Sequence, residues 1–565
     1  MGNLFNSLNI GLSSLKTQKT GMDTTGHNIS NANNDKYSRQ RVNQSAKRPH
    51  AAPSKSGPHG AGQIGSGVEA KDIERLQDDF INSQIQEESQ TSGYWAQMSE
   101  GLERIEETVA EPSDTSLSNA LDQFWDSLQD LSNNPEDSAA RSTVRERADV
   151  VVENFHNLND QLTDYQKSLN EDLGSEVSNI NSLGRRIADL NKEIVSVKGS
   201  GQSPNDLMDK RDDLFDKLNE KVNVQKQVDE RGNMQISIGG RNFVHGEDVK
   251  KLDLESESEG DRLKNNIIFA DSGKEADIRN GELAGLLDVR DVEIEDSLAE
   301  LDQMAGSFAK RFNEVHKQGY DLQGKQGEDF FSLGSDDQSP AEQIEVSDNI
   351  KDDINRIAAG RFSGEYSDNS DVATVNIDDP SKLSDGDYIE VENVDNDTVG
   401  YTVYDKDGNV QQDSDGNDLE DIEVDVGDTE DLTKELGIEL EIHDVNETDS
   451  DKTTIEFAAN PGNGENALAL SETINKDELE GLEGSSFEDY YSSFVSSLGV
   501  DAQRADKMVD NQDSLRKQLE KRKESVSGVN LDEEMSNLIK YQQAYHAASK
   551  VISRTDEMLS VLMQT

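Results

Sequence analysis

The order of apolar and polar positions divides the chain before any other property is needed. Phe5, Leu8, Leu12, Leu15, Met22 and Ile29 fall on one seam at a seven-residue period, interrupted at Lys19 and Gly26. A polar, Asn-rich stretch follows from Asn28 to Arg41, then a loop at roughly 46–67 rich in Gly, Pro and Ala, which holds three of the nine prolines. Residues 70–110 read as helix, with Trp95, Met98, Leu102, Ile105 and Val109 at three-four spacing. Leu117, Leu121, Phe124, Leu128 and Leu131 form a second such stripe. The longest pattern covers 138–198, from Val144, Ala148, Val151 and Phe155 through to Ile187, Leu190, Ile194 and Val197. As one helix it is about 90 Å long at about 1.5 Å per residue. A helix of that length needs long partners, so the pattern predicts an elongated bundle or coiled-coil domain. A short helix opens near Pro204 and carries Leu207, Leu214 and Leu218.

After Val222 the texture changes. Val222, Val224 and Val228 precede Arg231-Gly232-Asn233, and Met234, Ile236 and Ile238 then alternate, which predicts a β-hairpin at about 222–245. Residues 281–316 return to helix. Residues 340–460 are acidic and short-period, with strands expected at Asp378 to Glu392, Gly400 to Tyr404 and Ile438 to Ile442. Asp407-Gly408-Asn409 and Asp415-Gly416-Asn417 have the composition of hairpin turns. The last segment is helical again. Leu498, Ala502, Ala505, Val509 and Leu519 make one stripe, broken at Ser527-Gly528. Asn530 then caps a final helix, with Glu533 as its capping-box partner, and Leu531, Met535, Leu538, Tyr545, Ile552 and Leu559 lie on a seven-residue seam.

Both ends are therefore heptad helices around a larger, more varied body. Pairing them closes the chain on itself. A single short pair buries little surface and gains stability from neighbouring copies, as in a polymer whose core is built of terminal helices; periodicity alone equally allows a purely intramolecular pair. The fold class is multidomain, mainly α with β. A terminal core of 1–45 and 500–565 is coiled-coil-like. An elongated helical domain covers 46–335 and 480–500, and an acidic, mainly β outer domain covers 336–479.

Composition narrows the function. The chain has 565 residues and a net charge of -62, from 117 acidic and 55 basic side chains. Such a chain repels nucleic acid and anionic membrane surfaces. Salt screens its self-repulsion, so the acidity reads as adaptation to a saline environment; the alternative is an acidic, soluble surface with no salt requirement. There is no cysteine, which excludes disulfides, thiolate metal sites and a cysteine nucleophile. No apolar run is long enough to span a bilayer, and the N-terminus lacks the basic start and apolar core of a Sec-type signal.

Catalytic and metal chemistry finds no footing. No His-Glu-x-x-His motif occurs among the eight histidines. His27 and His546 sit in the two terminal segments, and a surface or core role fits them better than ligation. The segments beginning at Asp405 and Asp413 look like calcium loops, but their Gly stands at position four where an EF-hand needs it at six. Gly199-Ser-Gly-Gln-Ser-Pro lacks the ending of a phosphate loop. No enzyme activity, cofactor or metal is expected.

The residues at the two ends carry a resemblance. Gly26-His27-Asn28-Ile29-Ser30-Asn31-Ala32-Asn33 with Tyr37-Ser38-Arg39-Gln40 resembles the N-terminal signature of flagellar rod, hook and hook-associated proteins. The Tyr-Ser-Arg-Gln ending is similar to that of the hook-associated protein 1 family. Val529-Asn530-Leu531-Asp532-Glu533-Glu534, Tyr541-Gln542-Gln543-Ala544-Tyr545 and Asp556-Glu557-Met558-Leu559 resemble its C-terminus. Asn205 to Asp212, Gly281 to Leu287 and Gly319 to Leu322 look like its internal segments. The likeness covers 1–330 and 490–565 well and the acidic β region poorly. One departure is Asn34-Asp35-Lys36, where the family usually has a Thr-Pro-Gly type turn.

The resemblance implies a structural subunit of the bacterial flagellum at the hook–filament junction, exported by the flagellar type III apparatus and located outside the cell. It implies a ring of copies, hook protein below, a second junction protein above, and an export chaperone on the C-terminal helix. The expected assembly interface is Leu8, Leu12, Leu15, Ile29, Asn31, Tyr37, Arg39, Leu531, Met535, Leu538, Tyr545, Ile552 and Leu559. Tyr37 and Arg39, as loop residues, are the better candidates for specific contacts. The competing readings are another axial protein, hook or flagellin-like, and a secreted acidic adhesin or surface protein with calcium-bound β domains.

Overall fold

A computed structural model describes residues 2–48, 65–109, 116–259, 262–334, 339–366, 373–377, 382–395, 398–413, 416–434, 436–442, 453–473, 482 and 484–563. The middle of the Gly/Pro loop, the start of the strand expected from Asp378, and Ser414-Asp415 of the second Asp-rich turn lie outside the described residues. The chain forms two compact units, one of residues 1–103, 166–292 and 501–565, the other of 104–165 and 293–500.

The first unit opens with α1 (Gly2–Ser30). β1 (Gln40–Ala46) pairs antiparallel with β2 (Val68–Arg75). Residues from 70 were expected to be helical throughout. Their first part is instead a strand, because Glu69, Lys71, Asp72 and Glu74 sit among apolar positions with no three-four stripe, and the polar strand β1 supplies the ladder partner. α2 (Asp79–Val109), α3 (Leu117–Asn133) and α4 (Ser138–Gly199) follow; α3 belongs to the second unit, and the division falls within α2 and α4. α4 is a continuous helix of 62 residues, as its periodicity predicts. α5 (Asn205–Lys221) leads into an antiparallel meander, β3 (Val224–Val228), β4 (Met234–Ile238), β5 (Arg241–His245) and β6 (Asp248–Val249). The predicted hairpin is its first turn, closed by Gly232 at φ 93, where a side chain would be strained. A second sheet, β7 (Leu252–Glu259), β8 (Arg262–Phe269) and β9 (Lys274–Glu275), follows before α6 (Glu282–Asp288). One core joins them: Ile180 and Ile187 of α4, Phe215 and Leu218 of α5, and Ile236, Phe243 and Phe269 of the sheets.

The second unit packs α3 and the first half of α4 around α7 (Ile294–His316), which a five-residue π-helical segment joins to α6. Phe124, Phe308, Phe312, Phe330 and Phe331 stack at 4.8–6.3 Å between ring centroids. β10 (Phe331–Ser332) pairs with β11 (Glu345–Val346), across the short helix α8 (Pro340–Gln343), and α9 (Asp348–Asp352) comes next. The remaining strands are β12 (Arg361–Tyr366), β13 (Ala373–Ile377), β14 (Tyr388–Asp395), β15 (Thr398–Tyr404), β16 (Ile422–Asp425), β17 (Thr429–Leu432), β18 (Ile438–Ile442) and β19 (Thr453–Asn460). They form antiparallel sheets in the orders β12-β19-β14-β15-β16 and β13-β18-β17, with Ile389, Val391, Ile438, Leu440 and Ile455 in a shared core. β18 alternates inward Ile and Leu with outward glutamates, as its sequence predicts. α10 (Glu465–Ser471) packs on α3. α11 (Phe487–Ser527) contributes residues to both units, and α12 (Leu531–Met563) completes the first.

Candidate assembly surface and its anchoring cluster

The terminal helices α1 and α12 pack together within the first unit. They run antiparallel in a constant register. A Cβ built on Gly11 comes 2.6 Å from Ile552 Cγ1, and one built on Gly21 comes 2.8 Å from the Tyr541 ring. Asn28 reaches Glu534 at 3.0 Å. Lacking side chains, the two glycines let α12 approach the α1 backbone.

The buried face of α1 is not its leucine seam. Ser13, Thr17, Thr24 and Asn28 are buried, together with Gly11 and Gly21. The Thr17 hydroxyl donates to the Val68 carbonyl of β2 at 3.3 Å, and Ser13 and Thr24 satisfy their hydroxyls on carbonyls of their own helix. At about 100° per residue, Leu8, Leu12 and Leu15 stand on the far side of the helix from Thr17, Thr24 and Asn28. Leu12 is exposed, and Leu8, Leu15 and Ile29 are half-buried.

α12 divides in the same way. Leu538, Tyr545, Ile552 and Leu559, seven apart, are half-buried. Leu531 and Met535, expected on the same seam, are exposed. With Ile539, Val551, Met558 and Val561 they leave apolar side chains in water, with exposures from 47% at Val551 to 64% at Val561. Isolated exposed apolar residues are ordinary, whereas these six on one helix, with Met563 beyond them at 85% exposure, make it a candidate interaction surface.

A polar cluster anchors the pair where α1 ends. Asn28 is buried and fully satisfied. Its amide donates to the Gln40 carbonyl at 2.9 Å and to Glu534 at 3.0 Å, while its Oδ1 accepts from the Gln40 N–H at 3.0 Å and the Tyr37 hydroxyl at 2.7 Å. The single Tyr37 proton is thus committed, so His27 Nδ1, 3.0 Å away, is the donor to the Tyr37 oxygen. Burial, then the carboxylates of Asp206, Asp209 and Glu534, push the Tyr37 hydroxyl far above its ordinary pKa and keep it protonated. Arg39 holds the start of α12: Nε and Nη2 each lie 2.8 Å from Glu534 Oε1, and Nη1 lies 2.9 Å from Glu533 Oε2. Its N–H donates to the Ser527 carbonyl at 2.9 Å. Asn530 caps α12 as predicted, accepting from Asp532 and Glu533 N–H groups, but Glu533 does not close a capping box because its carboxylate goes to the Arg39 cation instead.

The cluster continues into α5. The Ser38 N–H donates to Asp209 at 3.2 Å, and Gln40 donates to Asp206 and accepts from Asn205. Arg75 of β2 bridges Asp209 and Asp212 at 2.8 Å each. Burial pushes the Asp209 carboxyl up, and Arg75 opposes it. Asn31, expected at the interface, donates to the His27 carbonyl and finishes its own helix. Asn28 and Glu534, the centre of the cluster, were absent from the expected interface. The polar pattern around Asn28 was the available signal.

The comparisons with known proteins agree with this architecture. Residues 102–331 match the family described as flagellar hook-associated protein FlgK helical domain, and residues 524–565 match the flagellar basal body rod FlgEFG protein C-terminal family. Flagellar hook-associated protein 1 of Bacillus subtilis is 28% identical, covering 99% of this chain and 98% of that protein. The protein of the same name from Salmonella typhimurium is 29% identical, covering 98% and 99%. Over nearly its whole length the chain is similar to flagellar hook-associated protein 1, and its residues 102–331 match that protein's helical domain. Among solved structures, the flagellar hook junction protein FlgK from Burkholderia pseudomallei shares the fold, with a TM-score of 0.65 at 18% identity over 79% of this chain and all of that one. The family's helical-domain match begins in α2 and ends at β10, so it covers α3 to α7 and the sheets β3 to β6 and β7 to β9 of the first unit.

Proposed function

We propose that this chain is a structural subunit of the bacterial flagellum that joins hook to filament, and that it assembles through its terminal helices. The near-full-length similarity to flagellar hook-associated protein 1 supports the first part. The observation that carries the second is the pair of apolar faces, Leu8, Leu12 and Leu15 on α1 and Met535, Ile539 and Met558 on α12, which the chain's own packing leaves exposed or half-buried. Residues 1–45 with 500–565 form the assembling core. Docking a neighbour against these faces is worth roughly 25 cal/mol per Å² of apolar surface, less the ordering of the helices.

The partners follow from position. Copies of this chain form a ring, with hook protein on one side and a second junction protein on the other. An export chaperone shields the C-terminal helix before secretion through the type III route. The work is mechanical and involves no catalysis. Deleting the gene tests the reading: bare hooks with flagellin lost to the medium are expected, and normal filaments with normal motility overturn it.

A further inference from the structure

The half-buried apolar residues of α12 repeat every seven positions, at Leu538, Tyr545, Ile552 and Leu559, and Ile552 of this seam packs on Gly11 of α1. Such a contact is nearly degenerate. Sliding α12 by seven residues, about 10 Å, brings an equivalent seam position into place. Apart from the fit of Tyr541 on Gly21, the seven-residue apolar pattern does not choose the register.

We infer that Arg39, Asn28 and Glu534 form a register lock that selects one alignment of the terminal helices. Glu534 is the acidic residue of α12 whose side chain is enclosed, at 3% exposure, and both its oxygens are used: Oε1 by Arg39, Oε2 by Asn28. Asn28 is itself held by both backbone groups of Gln40 and by Tyr37, so it cannot turn to follow a displaced partner. Any slide of α12 leaves a buried carboxylate, a guanidinium and an amide without partners. Apolar packing tolerates a seven-residue slide, and this cluster does not. The lock does more than hold the chain together. The exposed residues Met535, Ile539 and Met558 and the leucines of α1 form one composite face only at one offset, so the lock sets the face presented to neighbouring copies. That consequence rests on the assembly reading; the lock itself does not.

The chain has no cysteine, so engineered pairs report the register without background. The full-length Gly11→Cys/Ile552→Cys variant carries the pair at the observed register, where the helices are close enough for a disulfide. Gly11→Cys/Tyr545→Cys reports a slide of seven residues. Under mild oxidation, the first pair is expected to close faster by on the order of tenfold, read as the fast-migrating monomer on a non-reducing gel. Adding Arg39→Met/Glu534→Met, which removes both charges together, is expected to bring the two rates close to equal. Arg39→Lys keeps the charge and fold but loses the two-nitrogen grip, and an intermediate ratio is expected. An unchanged ratio in Arg39→Lys and in a folded double-Met variant overturns the lock, as does equal closure of both pairs in the parent. Motility restored by the variants in a deletion strain is scored separately. Restored motility with a collapsed ratio leaves the lock standing and removes its link to assembly.

Discussion

Arg39 Nε and Nη2 both lie 2.8 Å from Glu534 Oε1, across 495 residues of sequence. Arg39 sits in the turn after α1, and Glu534 sits in the first turn of α12. The Glu534 side chain is enclosed and that of Arg39 is 18% exposed. Removing one partner strands the other charge. Arg39→Ala is expected to cost the terminal pair about 3 kcal/mol, while Arg39→Met/Glu534→Met costs less despite changing more. Hydrogen exchange of peptides from α1 and α12 measures both, because it reads the pair apart from the second unit. Equal loss of protection in the two variants contradicts the account.

The glycines of α1 offer a paired comparison. An exposed helical glycine replaced by alanine gains about 0.5–1 kcal/mol. Gly26 has nothing within 4 Å of its missing Cβ, so Gly26→Ala is expected to gain close to that amount. At Gly21 the Cβ meets three atoms of the Tyr541 ring at 2.8–2.9 Å, and overpacking of this kind costs about 1–3 kcal/mol. Gly21→Ala is therefore expected to lose stability where Gly26→Ala gains it. The same exchange measurement, run on both variants, gives opposite signs if the close approach is real.

Much of the fold is legible along the chain, and the limits have physical causes. α4 is read correctly because Val144 to Val197 keeps one stripe, and a stripe is a local property. The hairpin at Gly232 is read from turn chemistry for the same reason. β1 and β2 are missed, since strands dense in polar or charged residues pair through backbone groups that leave no apolar signature. The leucine seam of α1 is read as a seam, but periodicity states which residues share a face and not what the face meets. In the structure the intramolecular face is the small and polar one, where Thr17 and Asn28 satisfy themselves against neighbouring backbone. Asn28 and Glu534, separated by 506 residues, meet only after both ends fold; the polar pattern around Asn28 marks one half of the contact and does not name its partner.

Substitution on the two sides of α12 separates folding from assembly. Met558→Glu changes a residue with 61% exposure and is expected to move stability by no more than about 0.5 kcal/mol. Ile552→Asp puts a carboxylate against Gly11 and is expected to destabilise the pair. Both are expected to abolish complementation of motility, the first with exchange protection intact. Motility restored by Met558→Glu removes the exposed face from the assembly surface.

Acid stability of the second unit depends on one ring. His316 is fully buried between the end of α7 and residues 328 and 358. Its Nδ1–H donates to the Glu328 carbonyl at 2.6 Å, and its Nε2 accepts from the Ala358 N–H at 2.9 Å. The bond at Nε2 requires the neutral ring, because a protonated Nε2 cannot accept. Burial pushes the pKa down from 6.5 to about 4. The unfolded chain then binds more protons than the folded one between those values, so stability rises with pH across that window. It is fully present above pH 6.5 and is lost as pH falls toward 4, by about 3 kcal/mol from this group. His316→Phe keeps the aromatic contacts with Phe312 and Phe330 but strands the Ala358 N–H and the Glu328 carbonyl. It is expected to melt lower at pH 7 and to have a flatter pH profile. The measurement is the difference in melting temperature between parent and variant across pH 4–7 at fixed high salt, which screens the repulsion of the acidic surface in both. A difference that stays constant with pH places the acid sensitivity elsewhere.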